Sequence, residues 1–264
     1  MAEAWRLIVA SRPATGFWNM AVDEALLAAA SDGVPPTLRL YGWSGPWLSL
    51  GHAQPFDDAT LAACRSAGVG VVRRVTGGRA VLHGADLTYA VTASERALPD
   101  GLHASYRVLS DALVDALRGL GIRAERVARG ADRVAPAGRF DCFADAADDE
   151  VCAGGRKLAG SAQRRAGGAL LQHGSIRLAP DPPEAARIAG TGAGATSLAE
   201  LGMAPGAARR TLARVLPKAL AERLGVAFSS ASLAPSERAR AHRLAAALRR
   251  DPLARRAGPS SRAF

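Results

Sequence analysis

Apolar and polar positions alternate over Thr37 to Tyr41, placing Leu38 and Leu40 on one face, and Trp47 to Leu50 reads as a hairpin partner across a Gly/Ser/Pro turn. Upstream, Trp5 to Val9 reads as a strand. Asn19 stands where a helix N-cap should, ahead of MAVDEALLAAA, with Asp23 and Glu24 in the first turns and Leu26 and Leu27 on the buried stripe. A short helix over 59–67 leads to a strand from Val69 to Arg74. The loop Thr76-Gly77-Gly78-Arg79 then feeds a strand pair, Ala80 to His83 and Leu87 to Thr92.

The second half begins with the clearest helical signal. Leu109, Leu113 and Leu117 fall at i, i+4 and i+8, with Ser105 as a cap and Gly121 as a stop. Residues 128–151 follow neither period, are rich in Ala, Gly and Asp, and read as a long loop of the functional or mobile kind. Lys157 to Gln163 and Leu170 to Leu178 read as two strands joined at Gly167-Gly168, ended by Pro180, Pro182 and Pro183. Residues 185–200 start helical and pass into a Gly-rich loop. Leu212, Leu216, Leu220 and Leu224 mark a helix ended by Gly225, Ser236 to Arg249 a last one, and the residues after it a frayed tail.

With 264 residues and 48% hydrophobic side chains, the chain is long and apolar enough to bury a real core. It shows neither an apolar run of membrane-spanning length nor the n- and h-regions of a signal peptide, so a cytoplasmic protein is expected. The cysteines Cys64, Cys142 and Cys152 lack metal-ligand spacing, and no metal site is expected. The net charge of +10 is local: from Pro205 onward thirteen Arg and Lys face three carboxylates, an excess of ten, and residues 1–204 balance. Three readings of that basic region stand side by side: a helical surface steering an acidic protein partner, a solvated face and tail, and a nucleic-acid surface. The last lacks aromatic-basic interleaving or a groove-reading motif, so no nucleic acid is expected.

Candidate chemistry gathers in two stretches. Arg73, Arg74, Thr76, Gly77, Gly78, Arg79 and His83 surround adjacent glycines whose N–H groups can approach a ligand, with arginines that favour a carboxylate, phosphate or carbonyl. A Gly-Gly hairpin with exposed arginines would look the same. The spacing is neither that of a P-loop nor that of a dinucleotide fingerprint. In the second stretch, Cys142 sits among Asp141, Asp145, Asp148, Asp149 and Glu150, too polar a setting for a core thiol and one that raises a thiol's pKa. Only two residues of the chain are lysines, Lys157 and Lys218. A lysine beside Arg156 in so arginine-rich a protein points to a need for a compact ammonium.

Taken together, RRVTGGRAVLHGADLTYAV at 73–91, GRKLAGSAQRR at 155–165 and LLQHGSI at 170–176 resemble the biotin/lipoate protein ligase and lipoyl/octanoyl transferase superfamily. NMAVDEALL and LRLYGWSGPWLSLGHAQ fit it too, so that the likeness spans about residues 5–225. The Cys142-Phe143 pair, fifteen residues before Lys157, resembles the cysteine-loop octanoyltransferase branch. Here the loop continues Ala-Asp-Ala-Ala-Asp-Asp, where that branch carries Pro, Ser and aromatic residues.

The resemblance implies an α+β fold, a mixed sheet packed with helices, with residues 1–228 as the catalytic domain, 229–250 as a basic helix packed on it and 251–264 as a flexible tail. It implies transfer of an octanoyl group from octanoyl-acyl carrier protein to a lysine of a lipoyl domain, the glycine cleavage H protein foremost, by a monomer without a cofactor. Cys142 would carry the acyl group and Lys157 would polarise its carbonyl. Gly77, Gly78, Gly160, Ser161 and Ala162 would line the substrate, while His83 and His173 would be proton carriers or packing residues. Two alternatives stay open: an ATP-dependent lipoate ligase in which Lys157 contacts an acyl-adenylate, and a non-catalytic carrier-binding protein of the same fold.

Overall fold

The computed structural model describes residues 3–127, 150–189 and 194–254. Among them, eleven strands form two sheets. The larger has the order β11 (Val226–Ser230), β1 (Glu3–Val9), β2 (Thr37–Tyr41), β6 (Asp86–Ser94), β10 (Ala169–Arg177), β9 (Arg156–Ala166), β8 (Val151–Ala153) and β7 (Ala124–Arg126). The smaller is β4 (Gly70–Arg73), β3 (Trp47–Leu50) and β5 (Val81–His83). Parallel and antiparallel pairs occur in both, so the sheet is mixed and the fold α+β.

Alternation along the central strands sorts side chains onto two faces. Leu38, Leu40, Leu87, Tyr89, Val91, Leu170 and Ile176 meet α3 (Leu102–Arg118) and α5 (Pro205–Leu224). Tyr41, Ala90, Ala169 and Leu171 meet α1 (Gly16–Ser31), on which α6 (Pro235–Arg250) lies. The small sheet stands on this second face with α2 (Asp58–Ser66) and α4 (Pro183–Ala189) packed against it. The space between large sheet, small sheet and α1 is where the polar residues gather.

Several local expectations are corrected. Trp47–Leu50 is not the hairpin partner of Thr37–Tyr41; β2 pairs with β1 and β6, and β3 is the middle of the other sheet. Likewise β5 and β6 do not pair, because the chain changes sheet at Gly84, whose φ is 137°. Alternation identifies a strand and its faces, not its neighbour. Helix α1 starts a turn before Asn19: the cap is Thr15, whose side chain accepts from the Trp18 N–H, and Asn19 is buried with its amide donating to the Ala14 and Gly42 carbonyls. Ser105 lies inside α3, donating back to the Gly101 carbonyl, and the helix ends at Gly119 instead of Gly121. The short strands β7, β8 and β11 have too few residues to show a period.

The basic C-terminal region is divided by the fold. Helix α5, with Arg210, Arg214, Lys218 and Arg223 exposed, lies on one face of the large sheet. Helix α6, with Arg238, Arg243, Arg249 and Arg250 exposed, lies on the other. One continuous basic surface, as the sequence implied, is therefore replaced by two separated ones.

Trp47 fixes the small sheet to α1. Its ring packs edge-on against Phe17 and rests on Gly16 and Gly70, where an added Cβ would lie 2.3 and 2.6 Å from ring carbons. Held from both sides, the ring cannot retreat. Gly16→Ala and Gly70→Ala are each expected to cost about 1–3 kcal/mol through overpacking. Urea unfolding measures this, and an unchanged midpoint in both variants would show that the ring yields.

Candidate active site

Strand register brings the site together. On β10, His173 and Ser175 face α1 and the small sheet; opposite them on β9 stand Ala162 and Gly160, and across β6 stand Ala90 and Thr88. With Met20 of α1, Ser49, Arg74, Val81 and His83, all of these but Ala90 line one cleft.

Two buried aspartates anchor it. Asp23 accepts from Arg39 Nη1 at 2.5 Å, from the Tyr41 hydroxyl at 2.7 Å and from His173 Nδ1 at 3.0 Å. Burial opposes its ionisation, but the Arg39 charge and the bonds from His173 and Tyr41 outweigh that and hold the carboxyl below its ordinary value. Burial and the Asp23 charge push the Tyr41 phenol well up. Asp86 accepts from His83 Nδ1 at 2.9 Å, from the Thr88 and Ser175 hydroxyls at 2.8 Å and from the Gly84 N–H at 2.9 Å. Against the opposing effect of burial, the charge of His83 and these donors lower its pKa to about 2.

Arg74 joins the two. Its Nη2 donates to the Gly77 and Arg79 carbonyls at 2.7 Å, its Nη1 to the Ser49 carbonyl and hydroxyl at 2.8 and 3.2 Å, and its Nε to Thr76 Oγ1 at 3.1 Å. Ser49 Oγ is 2.9 Å from His83 Nε2, and Thr76 Oγ1 is 2.7 Å from His173 Nε2. A guanidinium only donates, so each hydroxyl accepts from Arg74 and keeps its own hydrogen available for the imidazole beside it; an ionised carboxylate only accepts, so each ring carries a hydrogen on Nδ1. Burial, the largest influence on His173, lowers its pKa.

Lys157 reaches the same face by a β-bulge. The pairing of β8 with β9 runs Cys152 to Lys157 and then Val151 to Ala159, leaving Leu158 as the extra residue. Leu158 and Ala159 both enter the core under α3 and α5, and Lys157 and Gly160 share the opposite face. The ammonium is buried in an ion pair with Glu150, and a Cβ on Gly160 would stand 3.3 Å from Nζ. The missing side chain at 160 leaves room for the ammonium beside the strand.

The structure thus gathers Arg74, Thr76, His83, Lys157, Gly160, Ser161, Ala162 and His173. Ser161 also hydrogen-bonds through Oγ to the Tyr89 hydroxyl, on the α3 side. Gly77, Gly78 and Arg79 form an exposed turn over Gly51, where a Cβ would collide with the Gly78 carbonyl at 1.8 Å. Arg73 is buried and turned away, donating to the carbonyls of Gly51, Gln54 and Leu253. Cys142 and its acidic loop lie outside the described residues.

Asp23, Asp86, Arg39, Tyr41 and Ser49 were not singled out from sequence. A signal existed for the acids: Asp23 falls with Met20 and Leu27 on the buried stripe of α1, and Asp86 opens an alternating strand three residues after His83. A buried carboxylate must be paired, so burial alone implied partners.

Comparison with known proteins agrees with this architecture. The model of the lipoyl protein ligase A/B catalytic domain matches residues 15–212. Octanoyltransferase LipM of Kyrpidia tusciae is 40% identical over an alignment covering 92% of this chain and 96% of its own. Protein Ta0514 of Thermoplasma acidophilum, solved with bound lipoic acid, superposes with a TM-score of 0.74 at 22% identity, covering 91% of this chain and 94% of that one. The bipartite lipoate protein ligase of the same organism, studied with its E2 lipoyl domain, does so with a TM-score of 0.69 at 21% identity over 92% of each chain. The chain belongs to the lipoyl protein ligase A/B catalytic-domain family. Within that family it falls on the branch of relatives named octanoyltransferase LipM, and it is an acyltransferase.

The low pKa of Asp86 sets a pH dependence. A carboxyl held at about 2 instead of 3.8 contributes stability that is complete above about pH 4 and lost as pH falls through 2. The contribution is roughly 2 kcal/mol. In urea unfolding the gap between wild type and Asp86→Asn is expected to narrow as pH drops from about 5 toward 2; a constant gap would show that Asp86 ionisation is not linked to folding.

Proposed function

We propose that the chain transfers an octanoyl group from octanoyl-acyl carrier protein to a lysine amine of a lipoyl domain, the glycine cleavage H protein foremost, with Cys142 holding the acyl group in between. The observation that carries this reading is the buried Lys157–Glu150 pair facing side-chain-less Gly160 in the cleft of a LipM-like chain. The Cys142 thiolate attacks the thioester carbonyl and the carrier's thiolate leaves. The acceptor amine then attacks the cysteine ester, and Cys142 departs as thiolate. In both steps negative charge builds on the carbonyl oxygen, and a preoriented ammonium in a site closed to water stabilises it more in the transition state than in the ground state. Glu150 keeps that ammonium in place.

Incubation with octanoyl-acyl carrier protein is expected to give an octanoyl adduct by intact mass that is lost in Cys142→Ala and kept in Cys152→Ala. Lipoate-dependent pyrophosphate release from ATP, without an adduct, would replace this reading with that of a ligase.

Lys157→Arg keeps the charge but cannot place a planar fork in the ammonium's position, and Gly160→Ala sets a methyl 3.3 Å from Nζ. Each is expected to slow adduct formation at least about 10²-fold, the scale of losing one oxyanion donor. Adduct formation at wild-type rate in both, with folding checked by circular dichroism, would remove Lys157 from the chemistry.

Of the two basic helices, α6 lies on the face of the cleft, and its C-terminal extension is tied to Arg73 through the Pro252 and Leu253 carbonyls. An acidic carrier protein is expected to approach over Arg243, Arg249 and Arg250. Reversing these three to Glu should raise the KM for the carrier and flatten its salt dependence through about 0.15 M ionic strength, with kcat retained. An unchanged KM would discard this route.

A further inference from the structure

The two rows of carboxylate, imidazole and hydroxyl, Asp86–His83–Ser49 and Asp23–His173–Thr76, look alike in their bonds and differ in their charge. Asp23 is already matched by Arg39 at 2.5 Å. The Asp86 carboxylate has no Arg or Lys ion pair among the described residues, Arg209 bonding to its backbone carbonyl instead; its partner is the His83 imidazole. A proton arriving on His173 would meet a carboxylate whose charge is neutralised. A proton arriving on His83 would meet an unmatched one. The row of His83 is therefore built to accept a proton, and the row of His173 to hold the walls together.

We infer that Ser49, His83 and Asp86 form a proton relay serving the second half of the transfer, with Ser49 contacting the attacking amine and His83 as the terminal acceptor; this rests on the transferase reading above. Ser49, His83 and Gly160 line one cleft, and the Lys157 ammonium lies beside Gly160. As the amine nitrogen bonds to the acyl carbon, its surplus proton passes to Ser49 Oγ while the hydroxyl hydrogen moves along the 2.9 Å bond to His83 Nε2. The C–S bond breaks and Cys142 leaves as thiolate. His83 then releases the proton to solvent, where the carrier's departed thiolate takes it up, and Cys142 is left as the thiolate with which the cycle began, so the sum is amide plus carrier thiol. Acyl transfer to Cys142 from the carrier needs no such acceptor, because the attacking group there is already a thiolate.

The ring is held for this task. Trp43 stacks on it with centroids 3.9 Å apart and an interplanar angle of 10°, and Trp43 Nε1 donates to Thr88 Oγ1, itself bonded to Asp86. The charged and titratable groups around the imidazole are Asp86 on β6 with Arg209 at its carbonyl, Arg74 through Ser49, His173 on β10, and Asp181 beyond the end of β10 with its partner Arg177.

The test separates the half-reactions. Octanoyl-enzyme is formed first, its rate followed by intact mass, and then mixed with lipoyl domain over a range of pH. His83→Gln and Ser49→Ala are each expected to form the adduct within about threefold of the wild-type rate and to slow its transfer to the lysine about 10²-fold or more near neutral pH. The wild-type second step should level off above a single ionisation, whereas in both variants it should keep rising in proportion to hydroxide. His173→Gln should lower thermal stability without changing the shape of that profile. Equal losses in both steps with the wild-type pH profile, or an unaffected second step, would overturn the relay. Should His83→Gln fail to fold, Ser49→Ala decides by the same profile. Should no octanoyl-enzyme form in the wild type, the cysteine reading fails by itself, and the pH profile of overall acyl transfer in Ser49→Ala then judges the relay.

Discussion

One guanidinium holds the site in shape. Arg74 is buried, and its donors go to three backbone carbonyls and two hydroxyls. The carbonyls fold the glycine turn back over Gly51; the hydroxyls, having accepted from Arg74, stand in hydrogen-bond contact with the two imidazoles. A lysine could supply charge but not five donors in a fixed plane. An arginine that from sequence could serve a carboxylate, phosphate or carbonyl, or stand exposed on a hairpin, instead gives its donors to the backbone and hydroxyls around it.

The second constraint is the bulge at Leu158. Were β9 regular through Leu158, alternation would put Lys157 and Gly160 on opposite faces, and the ammonium would enter the core under α3. With the bulge, two consecutive apolar residues fill that core while a cation and a glycine meet in the cleft. A buried ion pair of this kind is weak support for stability, since its desolvation cost is large. Its place here is explained by chemistry: a fixed ammonium beside a carbonyl. The acid-rich composition around it also looks different in the fold, where Glu150 is the buried counter-ion of Lys157 instead of one more loop carboxylate.

Much of the architecture was legible in the chain. Leu109, Leu113 and Leu117 carry a helix because their spacing allows little else, and Gly167-Gly168 turns at φ 60° and 73° as adjacent glycines can. The site residues of the glycine turn and of β9 were legible as types, since Thr76, His83, Lys157 and His173 are polar groups set in apolar strands. What stayed hidden is long-range. The partners of those residues, Asp23, Asp86 and Ser49, lie up to 150 positions away, and pairing across sheets is decided by packing that no local period encodes. The separation of α5 from α6 is hidden for the same reason: charge adds along a sequence but divides over a surface.

The most direct measurement is of the imidazole nitrogens. Long-range proton–nitrogen correlation spectra of the ¹⁵N-labelled protein at neutral pH should show His83 and His173 carrying hydrogen on Nδ1 and accepting at Nε2, and Asp86→Asn and Asp23→Asn should each leave that tautomer no longer imposed on the ring beside it. Rings protonated at Nε2 in the wild type, or tautomers indifferent to their aspartates, would contradict the account.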